Sequence, residues 1–213
     1  MKNLLLLLLS LVAICQLSNA QKMKWGITGG ATYSQVRVSD NETKDHTNFT
    51  PGFSIGLTGD LALSEHFSLQ PSLQYLQKGG EKSGYLFTTQ TKITIKLNYL
   101  DLPVNFIYHT SGKTGHFIFG AGPSFSYALS GKEKFATDQE KDEENFHFGS
   151  SDTTLKRFDM GANVLAGYEW NSGIYLQANF NYGLSNITNT SDDKWKNSYF
   201  GLRIGYFFGN NKK

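Results

Sequence analysis

Cysteine is nearly absent. The single one, Cys15, falls inside an N-terminal leader, which leaves the exported chain without disulfides or thiol chemistry. An excess of one charge is missing too. The chain has 20 basic and 18 acidic residues and a sequence pI of about 8.5, so no basic field points to nucleic acid. Charged residues make up only 18% of the chain, and proline is rare at 4. There is no series of apolar runs of about 20 residues, and mean hydropathy is −0.36, which excludes a helical membrane protein. What is abundant is glycine (22), phenylalanine (16) and tyrosine (11). Glycine and aromatics are poor helix formers, so the mixture disfavours a helical bundle. So many aromatics also disfavour disorder. A glycine- and aromatic-rich β protein of one domain remains.

Residues Met1 to Ala20 read as a secretory signal peptide: Lys2, an apolar run from Leu4 to Cys15, then Ser18-Asn19-Ala20, with cleavage before Gln21. Ile14 is not the small residue that would precede a lipoprotein cysteine. Residues 21–213 form the mature domain, nearly neutral once Lys2 is removed.

From Trp25 onward the chain alternates with period two, the mark of a strand that meets different media on its two faces. Eight segments carry the pattern, beginning with Trp25, Ile27, Ala31 and Tyr33 opposite Gly26, Thr28, Gly30 and Thr32. Phe53, Ile55 and Leu57 mark the second, and Phe67, Leu69, Leu73 and Tyr75 the third. The fourth changes phase, from Ile93, Ile95, Leu97 and Tyr99 to Leu100, Leu102, Val104, Phe106 and Tyr108, which predicts a β-bulge in that strand. Phe117 to Tyr127, Phe158 to Trp170, Ile174 to Leu184 and Phe200 to Phe208 complete the set.

Links after the second, fourth and sixth segments are short (Ala62 to His66, His109 to Gly115, Asn171 to Gly173), whereas the others are long and polar. Short turns at one end and long loops at the other predict an eight-stranded antiparallel up-and-down transmembrane β-barrel, the OmpA/OmpX-like architecture. Termini and short turns would then be periplasmic and the long loops extracellular. A soluble lipocalin-like barrel alternates as well, with its apolar face inside. The lumen of an eight-stranded barrel is only wide enough to be filled by side chains. That favours the Gly, Ser, Thr, Asn and Gln face inward and the bulky aromatic face toward lipid. Trp25, Tyr108, Phe117, Trp170, Tyr206 and Phe208 collect near the short-turn end as an interfacial girdle.

The order and spacing of several short motifs resemble the PorT-like outer-membrane β-barrels of Bacteroidetes, over essentially the whole mature chain. They are Gly26-Ile27-Thr28-Gly29-Gly30, Pro51-Gly52-Phe53, Ser68-Leu69-Gln70-Pro71-Ser72, Tyr99-Leu100-Asp101-Leu102-Pro103, Gly120-Ala121-Gly122-Pro123, Asp159-Met160-Gly161 and Tyr182-Gly183-Leu184. The ending Ile204-Gly205-Tyr206-Phe207-Phe208 resembles the aromatic signal read by the barrel-insertion machinery. The resemblance implies an outer-membrane barrel in contact with lipid and lipopolysaccharide. The family's namesake assists protein secretion, but no residue here carries that role over.

With the bulky face outward, Asp60, Lys78, Lys96, Asp101, Asp159, Glu169 and Arg203 point inward and form a paired charge network that fills the lumen. A narrow path for ions or small solutes is the alternative use of such charges. The acidic stretch Lys132 to Asp152 reads as a solvated loop, although Phe135, Phe146 and Phe148 suggest that it folds over the mouth or meets a partner. His46, His66, His109, His116 and His147 lack metal-site spacing and read as surface residues, so no metal or other cofactor is expected. There is no Gly-x-Ser-x-Gly elbow. A hydrolase at the rim would draw on Asp40, Asp45, His46 and His147, but no motif supports one, and the sequence reads as non-enzymatic.

Overall fold

Wherever the alternation runs, the backbone is strand. The computed structural model describes residues 23–39, 44–86, 89–137, 141–151, 154–190 and 193–208, and the expected leader lies outside them. Eight long strands carry the fold: β1 (Met23–Ser39), β3 (Thr50–Ala62), β4 (Phe67–Leu86), β5 (Thr89–His109), β6 (Gly115–Thr137), β8 (Phe158–Trp170), β9 (Ile174–Gly183) and β10 (Lys194–Phe207). Two short strands, β2 (Lys44–His46) and β7 (Lys141–Asn145), attach outside this series. Each long strand pairs antiparallel with the next. β10 then pairs with β1 from Gly26↔Phe207 to Ser39↔Lys194, which closes the ring. The fold is the all-β up-and-down arrangement that the eight segments predict.

Connections 63–66, 110–114 and 171–173 lie at one end with the start of β1 and the end of β10. The tightest places Gly173 at φ 91, a backbone state that glycine adopts without strain. The two faces separate cleanly. Ile27, Ile55, Leu57, Phe119, Val164, Leu202 and Ile204 are exposed on the outside of the ring, whereas Thr28, Thr58, Gln74, Ser126, Asn163 and Asn181 are buried within it. A Cβ on Gly205 would stand 2.2 Å from the Tyr175 ring, so the glycine makes room in the lumen for that side chain.

Two expectations change. First, the link after the third segment is mostly strand and the link after the fifth is strand in part. β4 and β5 stay paired to Leu86↔Thr89, β5 and β6 to Thr91↔Thr137, and β7 continues the sheet on β6. β5 has 21 residues and β6 has 23, against the 9–11 or so that cross a bilayer at a tilt, so β4 to β7 project as an arm. Past the bilayer both faces of a sheet meet water, and the hydrophobic alternation fades while the hydrogen-bonded ladder continues.

Second, the bulge expected in the fourth segment belongs to the neighbouring strand. The register shifts between Asn98 and Tyr99, where Tyr99 faces Ala128 and Asn98 faces Ser130, leaving Leu129 of β6 as the extra residue. β5 keeps one inward set throughout: Ile95, Leu97, Tyr99, Asp101, Asn105 and Ile107 are all buried. The apparent phase change marks the point where that inward face turns from apolar to polar. Lys96 therefore stands exposed on the outer face of β5 and is not a lumen charge.

Candidate functional site

The middle of the lumen is built around one cation. Lys78 Nζ lies 3.0 Å from Asp159 Oδ2 and donates to Ser126 Oγ at 3.0 Å. Ser126 passes a hydrogen bond to Asp101 Oδ1 at 2.6 Å, and Gln74 Nε2 donates to Asp101 Oδ2 at 2.7 Å. Asp159 also accepts from Asn197 Nδ2 at 2.9 Å and from Ser185 Oγ at 2.9 Å. Lys78 sits 4.8 Å above the Tyr99 ring, and Arg203 donates to the Tyr199 hydroxyl at 3.1 Å. Two cations and two carboxylates thus share the centre with their charges matched, as a desolvated site requires.

Above the network, toward the long loops, Ile95, Leu97, Tyr99, Ala128, Leu155 and Ile187 form an apolar cap. Phe146, Phe148 and Trp195 pack onto it, so the segment after β7 folds back over the mouth. A Cβ on Gly131 would meet Leu97 at 2.6 Å and Phe148 at 3.2 Å, so this glycine lets the segment sit down. Phe135 takes no part and is exposed on the arm. The expected solvated loop is in part the β6–β7 hairpin, where Glu143 bonds with Lys132 and, at 2.7 Å, with Lys134. Those hydrogen bonds, Lys132's first, hold the Glu143 carboxyl at about 2. A smaller apolar patch of Ile107, Ile118 and Leu165, on the neighbouring strands β5, β6 and β8, lies below the network.

The mouth at the short-turn end gathers the remaining titratable groups. His109 Nδ1 lies 3.0 Å from His116 Nε2, and His116 Nε2 lies 3.7 Å from Glu169 Oε2. His109 Nε2 lies 2.7 Å from Ser68 Oγ and 4.0 Å from Asp60 Oδ2, while Lys24 Nζ reaches Glu169 Oε1 at 3.5 Å. Both histidines flank the link 110–114, and the β5–β6 hairpin turns them toward each other. A test for helical or short spacing misses such a pair: the ladder sets His109 opposite Ile118, and His116 lies diagonal to it, two residues nearer the turn.

The other singled-out residues are dispersed. Trp25, Tyr108, Phe117, Trp170, Tyr206 and Phe208 are all exposed on the outer face near the short turns, with Phe117 5.1 Å from Tyr168 and Tyr206 5.6 Å from Phe208 by ring centroid. Asp45 and His46 sit on β2, where the Asp45 carboxylate is taken by Lys82 at 2.6 Å. Asp40 lies outside the described residues.

The chain belongs to the outer membrane protein beta-barrel domain family, whose profile matches residues 16–189. No curated protein matches the sequence. Among solved structures it is similar to Ail, the attachment invasion locus protein of Yersinia pestis, at 13% identity and a TM-score of 0.42 over 88% of this chain and 99% of that one. It is also similar to Neisserial surface protein A, at 13% identity and a TM-score of 0.44 over 85% and 96% of the two chains. The COG4313 outer membrane channel from Pseudomonas putida F1 aligns at 9% identity and a TM-score of 0.32, over 90% and 98%.

Proposed function

We propose that this outer-membrane barrel is a sealed, non-enzymatic anchor that presents the arm β4 to β7 and the folded-back segment as a contact surface outside the cell. One observation carries the reading: the side chains at the centre of the lumen are packed against one another. Tyr99 and Asp101 are 0% exposed, Asp159 1% and Lys78 4%, so little room for water lies beside them. The apolar cap covers the network from above. Among the described rim candidates, the Asp45 carboxylate is bound to Lys82.

The arm suits contact work. Its edge strand β7 is exposed along its whole length and reads Lys-Asp-Glu-Glu-Asn, charges that discourage indiscriminate strand addition while offering an acidic face. The girdle residues fit the lipid interface at the opposite end. The leader and the PorT-like motifs support export to the outer membrane of a bacterium of the Bacteroidetes type, with periplasmic termini.

Because the mature sequence has no cysteine, single introduced thiols report topology directly. On intact cells, Ser83→Cys in the arm and Ser150→Cys in the folded-back segment are expected to react with a membrane-impermeant maleimide. Ser111→Cys in a short turn reacts only after the cells are opened. Labelling of Ser111→Cys on intact cells, with the other two protected, would reverse the orientation and remove the contact surface from the outside.

A further inference from the structure

We infer that the short-turn mouth is a binding site for a divalent transition-metal ion of the zinc class, held by His109 Nδ1, His116 Nε2 and Glu169. These three side chains come from β5, β6 and β8, and their ligand atoms lie within 4.8 Å of one another. Zinc binds nitrogen at about 2.0–2.1 Å and oxygen at about 2.0–2.2 Å in a tetrahedron, which sets the ligand atoms roughly 3.4 Å apart. The His109–His116 separation of 3.0 Å and the His116–Glu169 separation of 3.7 Å bracket that value. Adjustments of a few tenths of an ångström bring these two edges to that value, while the third, between His109 and Glu169, starts from no more than 4.8 Å and closes as the ion seats. Two imidazoles and one carboxylate are a borderline donor set that suits zinc better than calcium or magnesium.

An independent observation points to a cation. Glu169 is 1% exposed, and its Oε2 has no hydrogen-bond partner among the described residues. Asp60 is 5% exposed, and its Oδ1 is likewise unpartnered. Two buried carboxylates with free oxygens beside two imidazoles carry a desolvation cost that a cation offsets. Lys24 supplies part of that charge, but from 3.5 Å and on the other oxygen, Glu169 Oε1.

The surroundings also orient the ligands. Ser68 Oγ and the Asp60 carboxylate face His109 Nε2, which places the ring proton there and turns the Nδ1 lone pair toward His116 and the ion. Ser68 is therefore the hydrogen-bonding outer partner of His109, and Asp60, 4.0 Å away, acts as a positioning residue through its charge. A cavity of about 200 Å³ lined by Lys24, Asp60, Ser68, His109 and His116 opens beside the cluster. It gives the ion an entry path and leaves a fourth coordination position for water.

The test uses the full mature chain without a histidine tag, refolded in detergent and stripped with chelator. Titration with Co2+ is expected to give the intense visible absorption of a tetrahedral complex, saturating at one equivalent and abolished by competing Zn2+. Asp60→Asn weakens binding about 10–100-fold, and His109→Ala, His116→Ala and Glu169→Gln weaken it further still, while His46→Ala, on β2 away from the site, leaves it unchanged. Each variant is first shown to keep the mobility difference between cold and boiled SDS samples that marks a closed barrel. Should one ligand variant fail that check, the other two carry the comparison. A folded wild-type barrel that gives no tetrahedral absorption, or binding that survives in the His109→Ala/His116→Ala double variant, would reduce the cluster to a hydrogen-bonded histidine pair and overturn the site.

Discussion

Replacing Lys78 with Met is expected to lower the unfolding free energy of the barrel by about 3–5 kcal/mol, because it strands two carboxylates in a desolvated lumen. Lys78 is the cation at the Asp159 end of the network, and through Ser126 it also communicates with Asp101. Side-chain hydrogen bonds from Gln74, Asn197 and Ser185 remain, but neutral donors do not match a full positive charge at 3.0 Å. Urea unfolding in lipid vesicles, followed by tryptophan fluorescence, measures the loss as a lower midpoint. Neutralising the partners as well, in Lys78→Met/Asp101→Asn/Asp159→Asn, is expected to recover most of it. A triple variant as unstable as the single one would show that Lys78 acts through packing instead of charge.

Leu202→Arg has the second large effect, about 2–4 kcal/mol of destabilisation in vesicles. Leu202 faces outward from β10 opposite Ala178 of β9, near the middle of that ten-residue strand, so its side chain meets the centre of the apolar band. An arginine there must thin the bilayer or reach for its edge. The same substitution at Tyr206, close to the interface, is expected to cost 1 kcal/mol or less by charge alone, roughly the interfacial value. Equal tolerance at both depths would mean that the aromatic face does not meet hydrocarbon.

The parts of this fold that were legible in the sequence are those where lipid and a wet lumen oppose each other across one strand. In β9, for example, Ile174, Leu176 and Ala178 alternate with buried Tyr175, Gln177 and Asn179, and the alternation alone locates the strand and both its faces. Where that contrast disappears, so does the signal. Residues 82–84 of β4 and 132–137 of β6 are strand beyond the packed lumen, without a buried face, and they read as loop. In β5 the lumen itself becomes apolar beside Ile95, Leu97 and Tyr99, which imitates a change of phase and turned Lys96 inward on paper.

The site was legible in proportion to how much of it lies on regular strands. Asp60, Asp101, Asp159, Glu169 and Arg203 occupy inward positions set by strict period two, and all five are buried. Their partners are another matter. Which of Ser126, Gln74, Ser185 and Asn197 meets which carboxylate depends on ring closure and stagger, properties of the whole sheet that no single strand encodes. The pairing of His109 with His116 depends on a hairpin register. The return of Phe146 and Phe148 over the cap depends on a packed segment whose backbone is not a strand.

The filled lumen is tested most directly by single-channel recording of the purified, refolded barrel in a planar bilayer, at both polarities and in concentrated salt. With Asp101 and Asp159 buried beneath the apolar cap that includes Tyr99, insertion is predicted to produce no reproducible conductance steps. Discrete, uniform steps from protein that retains its cold-SDS mobility would contradict the sealed barrel and make the charge network a path for ions.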